Sequence, residues 1–163
     1  MTHLIATFFY IGHLRPAPGT WGSLAALPVA WALHTLGGPM LLALGLALVF
    51  TLGWWATALE TKGKEDHDPS EIVIDEVAGQ WLAFLPVSIG AAHAGVAITA
   101  LWPGWITAFL TFRLFDIWKP GPIGWADRQG GPLGVMLDDL LAGLAAALCV
   151  LAGAALSHGV FGA

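Results

Sequence analysis

Residues 60–79, ETKGKEDHDPSEIVIDEVAG, hold seven of the eleven acidic residues of the chain: Glu60, Glu65, Asp66, Asp68, Glu71, Asp75 and Glu76. Apolar sequence flanks them on both sides. Asp75 and Glu76 stand at the start of one such run, IVIDEVAGQWLAFLPV, beginning at Ile72. A carboxylate in hydrocarbon costs several kcal/mol unless it is paired, hydrated or bound to a cation. Acids kept in that position mark a candidate functional site.

Working outward, the composition places the chain in a membrane. Of 163 residues, 57% are hydrophobic and only 10% charged, whereas a soluble domain carries about a quarter charged residues. The length suits a single domain covering residues 1–163. The lone cysteine, Cys149, excludes a disulfide framework and reads as packing. No basic run points to nucleic acid. The N-terminal MTHLIATFFYIGHLRPAPG lacks the basic leader and cleavage pattern of a secretory signal and is expected to be retained.

A spanning helix needs about 20 apolar residues. Five stretches approach this, with four spans as the fallback: Gly22 to Leu36, short and interrupted by Pro28; Met40 to Leu59; Ile72 to about Ala92, containing Pro86; about Gly95 to Ile117, containing Pro103; and Leu137 to about Leu156. The prolines are expected to kink their helices. Leu4 to Ile11 is too short to span and reads as an interfacial or re-entrant piece. The expected fold is all-α, a polytopic helical bundle.

If the five spans alternate in direction, all six basic residues (Arg15, Lys62, Lys64, Arg113, Lys119, Arg128) fall on one side, which makes that side cytoplasmic. Glu60, Asp75, Glu76, Asp116, Asp138 and Asp139 fall there too, at helix ends, with Asp138 and Asp139 expected at the start of the last span. Trp118 and Trp125 suit the interface. One acid pair alone is accounted for by capping and the helix dipole. Two pairs plus Asp116 on one face favour an oxygen-rich cage for a hard cation such as Mg²⁺, with Asp75, Glu76, Asp116, Asp138 and Asp139 as ligands. Neighbours in a helix lie about 100° apart, so one inward-pointing acid per pair is expected. The pairs echo each other: Asp75-Glu76-Val77-Ala78-Gly79 and Asp138-Asp139-Leu140-Leu141-Ala142-Gly143 both put small residues after two acids.

Arg113, Asp116 and Lys119 are spaced by three and share a face if the helix reaches Lys119, with Pro120 ending it. Arg113 and Lys119 suit phosphate, although cations at a helix end also simply snorkel. RPAPGTWGS brings Arg15, Thr20 and Ser23 ahead of a helix start, where an anion can bind, and its turn residues are equally ordinary capping residues. His67 beside Asp68 reads as a solvated loop histidine, and His34, His93 and His158, on the far side, are assigned no role.

Four ordered motifs, PAPGTWGS (16–23), HDPSEIVIDEVAG (67–79), FRLFDIWKPGPI (112–123) and GVMLDDLLAG (134–143), resemble the bacterial phosphatidylglycerophosphatase A family from about Gly12 to Gly143. The resemblance implies removal of the terminal phosphate of phosphatidylglycerophosphate, with Mg²⁺, at the bacterial inner membrane. It carries over Asp75, Glu76, Arg113, Asp116, Lys119, Asp138 and Asp139, with Thr20 and Ser23 beside them. Asp75, Asp116, Asp139 and Lys119 are then the expected catalytic set, and Arg113, Lys119, Arg15, Thr20 and Ser23 the expected phosphate contacts. The nucleophile stays open between an activated water and Asp116. A small carboxylate-lined ion or proton-coupled transporter is the rival reading, and it would place polar groups near the bilayer midplane.

Overall fold

The computed structural model describes residues 1–64 and 69–161, with side chains as far as Ser157. His67 and its neighbours Glu65, Asp66 and Asp68 lie outside the described residues, as does the side chain of His158. The described residues form helices and no strand: α1 (Thr2–Ala6), α2 (Pro18–Glu60), α3 (Ile74–Ala94), α4 (Trp102–Trp118), α5 (Pro122–Asp127) and α6 (Gly131–Phe161), with 3₁₀ turns at Ile11–His13 and Ile98–Leu101.

Helix α2 absorbs the first two apolar stretches. Pro18 occupies its first turn, where a missing N–H is harmless. As one straight rod its 43 residues would reach about 65 Å, twice the hydrocarbon thickness. It is not straight. Gly37 (φ −156°, ψ 18°) and Gly38 (φ 64°, ψ −160°) leave helical geometry, and the Gly38 conformation is open to glycine alone. Pro39 then starts a second arm. The arms run back to back: Gly22 sits against Val73 and Gly53 against Ile74, adjacent residues of the chain, while Gly45 faces Leu33. Pro28 is carried within the first arm, which starts earlier than its apolar stretch suggested.

Helix α3 is the centre of the bundle, flanked by α2, α4 and α6. Val77, Ala78, Trp81, Ala83, Phe84, Val87 and Ala91 are all buried on it. Trp81 satisfies its indole by donating to the Ala26 carbonyl at 2.8 Å, and Phe84 meets Trp105 edge-on at 4.8 Å. Gly95 ends the helix in the left-handed conformation. Pro103 does not kink the next helix as expected. It lies in the first turn of α4, after the 3₁₀ turn, where proline is tolerated.

Among the described residues, three helices are long and apolar enough to cross a membrane: Pro18–Glu60, Ile98–Trp118 and Gly131–Ser157. That is fewer than the five stretches expected, because the first two form one element and α3 carries Asp75, Glu76, Gln80, Ser88 and His93. The outward faces expose large apolar side chains, among them Leu44, Leu48, Ile106, Leu110, Leu148 and Leu151. An apolar belt of that extent belongs in lipid, not water. The N-terminal segment is too short to cross. Thr2 donates to Glu60 at 2.6 Å and Val73 donates to the Ala6 carbonyl at 2.9 Å, so α1 lies against the end of α2 and the start of α3. At the other end His34 meets Ser88 at 2.7 Å.

Candidate functional site

The site is built on a helix crossing. A Cβ added to Gly79 of α3 would fall 2.6 Å from the Asp139 carbonyl oxygen, and one on Gly143 of α6 would overlap the Gly79 carbonyl. Only glycine permits two backbones to approach this closely. Asp75 stands one turn before Gly79, and Asp139 one turn before Gly143, so the crossing brings both acids to the same level. The sequence echo between the two pairs is thus a spatial one. In each, the N–H of the second residue donates to the Oδ1 of the first at 3.0 Å.

Asp75, Glu76 and Asp139 each offer a carboxylate oxygen, and these oxygens lie within 4.8 Å of one another. Asp75 and Asp139 are buried and Glu76 nearly so. Both members of the first pair turn inward, against the expectation of one. The longer glutamate side chain reaches back across the angle that separates neighbours. The second pair divides: Asp139 joins the cluster, and Asp138 turns to Lys119 at 2.6 Å. Asp116 of α4 lies against Asp139 and pairs with Arg113 at 2.5 Å.

The expected common face of Arg113, Asp116 and Lys119 does not form. Helix α4 stops at Trp118, and Lys119 takes the left-handed conformation (φ 48°, ψ 52°) ahead of Pro120. That turn swings its ammonium away from Arg113, to Asp138 and Asp127. Partial burial works against the charge on Lys119. Its hydrogen bonds to Asp127 and Asp138 outweigh that cost and hold its pKa above the ordinary lysine range. Arg113 reaches three groups: Asp116, Glu76 at 3.9 Å, and the hydroxyl of Ser23, to which it donates at 3.5 Å.

Ser23 is fully buried and donates to the Gly19 carbonyl at 2.8 Å. Thr20 is half-buried on the same turn. Arg15 donates to Ser70 at 3.1 Å on the exposed side of this region. Asp138 and Asp139 were expected at the start of the last span, yet α6 begins two turns earlier. Gly130 and Gly131 take positive φ (64° and 67°), make the turn, and let Pro132 open the helix.

Two contributors were not singled out from the sequence. Asp127 shares Lys119 with Asp138 and lies in WADRQGG, which has no recognisable pattern. Gly19 packs its backbone onto Glu76 and Arg113: an added Cβ would overlap the Glu76 carboxylate and lie 3.1 Å from Arg113 Nη1. Its signal was present in the Pro-Gly-Thr sequence, which reads as an ordinary turn.

Three carboxylates this close repel one another unless something positive sits among them. Glu76 Oε2 and Arg113 Nε are buried without a protein partner, and so are both amide atoms of Gln80, one turn beyond Glu76. An all-oxygen donor set with unspent acceptors fits a hard divalent cation that keeps part of its water shell.

These features define a helical membrane protein with an acid-lined, cation-compatible centre at one end of its bundle, edged by an arginine and a lysine. A family profile for phosphatidylglycerophosphatase A matches residues 4–154. The chain is 37% identical to the phosphatidylglycerophosphatase A of Haemophilus influenzae, over 92% of this chain and 86% of that protein. It is 37% identical to the Escherichia coli phosphatidylglycerophosphatase A, over 89% of this chain and 78% of the relative. A Bacteroides thetaiotaomicron protein with the provisional name phosphatidylinositol-3-phosphatase is 36% identical, over 86% of each. No solved structure matches the chain. The chain belongs to the phosphatidylglycerophosphatase A family.

Proposed function

We propose that this protein hydrolyses the terminal phosphate monoester of phosphatidylglycerophosphate, giving phosphatidylglycerol and inorganic phosphate, with Mg²⁺ as cofactor. One observation carries the reading: carboxylates from α3, α4 and α6 meet at one end of an apolar bundle, beside Arg113 and Lys119. A phospholipid keeps its tails in the bilayer and its phosphate at the surface, so helix ends are where its scissile bond lies. The two arms of α2 (18–36 and 39–60), α3, Ile98–Trp118 and α6 then make five crossings. With the two arms of α2 crossing out and back, and α3 and Ile98–Trp118 doing the same, every lysine and arginine falls on the charged side, the cytosolic face of the inner membrane. A transporter would instead set its charges midway along the helices.

Phosphoryl transfer needs positioning and charge stabilisation more than covalent chemistry from the protein. Asp75, Glu76 and Asp139 would hold the cation, with Asp116 and Asp138 at its margin. When bound, Mg²⁺ polarises a phosphoryl oxygen and offsets developing charge. Arg113 presents a planar fork to the non-bridging oxygens, oriented by Asp116. Lys119, kept charged by Asp127 and Asp138, stabilises the phosphate and is a poor proton donor. Ser23 and Thr20, with Arg15 further out, are positioned for the remaining headgroup oxygens. Water attacks phosphorus, the bond from phosphorus to the glycerol oxygen breaks, and the departing alkoxide takes up the proton that the attacking water gives up.

Purified protein is expected to release inorganic phosphate from phosphatidylglycerophosphate, and EDTA is expected to abolish release until Mg²⁺ is restored. Turnover unaffected by chelation rules out the metal assignment. Faster release from a phosphoinositide than from phosphatidylglycerophosphate rules out the headgroup assignment.

Gln80 supplies a sharper check. Its amide has no partner within the protein, which suits a group that holds water of the hydrated centre. In Gln80→Leu phosphate release should fall about tenfold with the fold kept. Normal release from a folded Gln80→Leu would mean that the amide has no part in the hydrated centre.

A further inference from the structure

An apolar groove of about 340 Å³ opens beside the site, within the size range of small-ligand pockets. Phe115, Pro120 and Ile123 form one wall, and Leu141, Ala145 and Leu148 of α6 form the other. Its upper end adjoins the charged centre: Pro120 follows Lys119, and Leu141 is one turn from Asp138, the residue that Lys119 bonds. From Asp138 to Leu148 the helix descends about 15 Å, which is one leaflet of hydrocarbon. The cation suited to a phosphate therefore stands next to its upper end, and its walls run to the depth of a lipid tail. Bulk lipid needs neither feature.

We infer that this groove seats one acyl chain of the phospholipid substrate and sets the register in which the phosphate meets the acids. The inference rests on the phosphatase reading and extends it to how the lipid is recognised. Phe115 and Ile123 are then specificity-determining residues with no part in the chemistry.

The test compares long-chain phosphatidylglycerophosphate with a water-soluble dibutyryl analogue, using Ala145→Phe and Leu148→Trp to fill the groove. Leu148 is 60% exposed, so its replacement leaves the core intact. Both variants should lose about tenfold in kcat/KM on the long-chain lipid, mostly through KM, and stay within about twofold on the soluble analogue. Equal losses on both substrates, or no loss on either, overturn the inference.

If the unaltered protein hydrolyses neither substrate, the phosphatase reading is what fails. Native mass spectrometry then decides the groove separately. The unaltered protein should retain a phospholipid that Leu148→Trp releases. Retention by both overturns the inference. So does a variant that sheds a second copy of the chain instead of a lipid, because the groove would then be a subunit contact.

Discussion

Asp139→Asn should reduce phosphate release by roughly a thousandfold while leaving the protein folded, and more heat-stable in EDTA than the unaltered chain. The two effects have one cause. Asp139 is buried on α6 against Asp75 and Glu76, with Asp116 alongside. Without a cation these groups repel, so removing one charge relieves the folded state. With a cation the same charge would be a ligand, and its loss would remove the centre. Thermal denaturation with and without Mg²⁺ reads this independently of turnover: the unaltered protein should gain stability on adding the ion, and the variant should gain little. Turnover within tenfold of normal, or an undiminished Mg²⁺ effect on melting, would sink the role given to Asp139.

The second large effect lies at the crossing. Gly143→Val should destabilise by about 3 kcal/mol or more and abolish activity even in the fraction that folds. Its side chain would occupy the space of the Gly79 carbonyl, which belongs to a helix backbone and cannot rotate aside. Helices α3 and α6 would have to separate, carrying Asp75 away from Asp139. Gly153→Val is the control, since nothing lies within 4 Å of a Cβ there. Normal activity in Gly143→Val would mean that the acids do not depend on this contact.

Much of this arrangement was legible in the chain. Apolar runs marked the helices, and the placement of every basic residue and most acids at alternate ends foretold a single charged end. The repeated acid-acid-small pattern pointed to two helices doing similar work, although the sequence alone does not say that the glycines touch. Other features depended on information that pattern does not carry. Lys119 leaves the face of Arg113 because α4 ends at Trp118 and Lys119 itself takes the left-handed conformation, and the partner it then finds, Asp127, lies in an unremarkable segment. The GGP sequence at Gly130 reads as a broken loop, yet it opens α6 two turns ahead of its acids. Whether Asp75 or Glu76 turns inward could not follow from helical angles, because side-chain length decides it. Gly37 and Gly38 stand between the first two apolar stretches, and only the packing of Gly22 and Gly53 on neighbouring residues establishes the doubling back.

That doubling back also makes the molecule lopsided. At the end away from the acids, two glycines join the arms of α2, and a short stretch after Gly95 leads into the next turn. Both connections are tight bends between helices, so a protease added at that end would find little extended chain between α2 and α4.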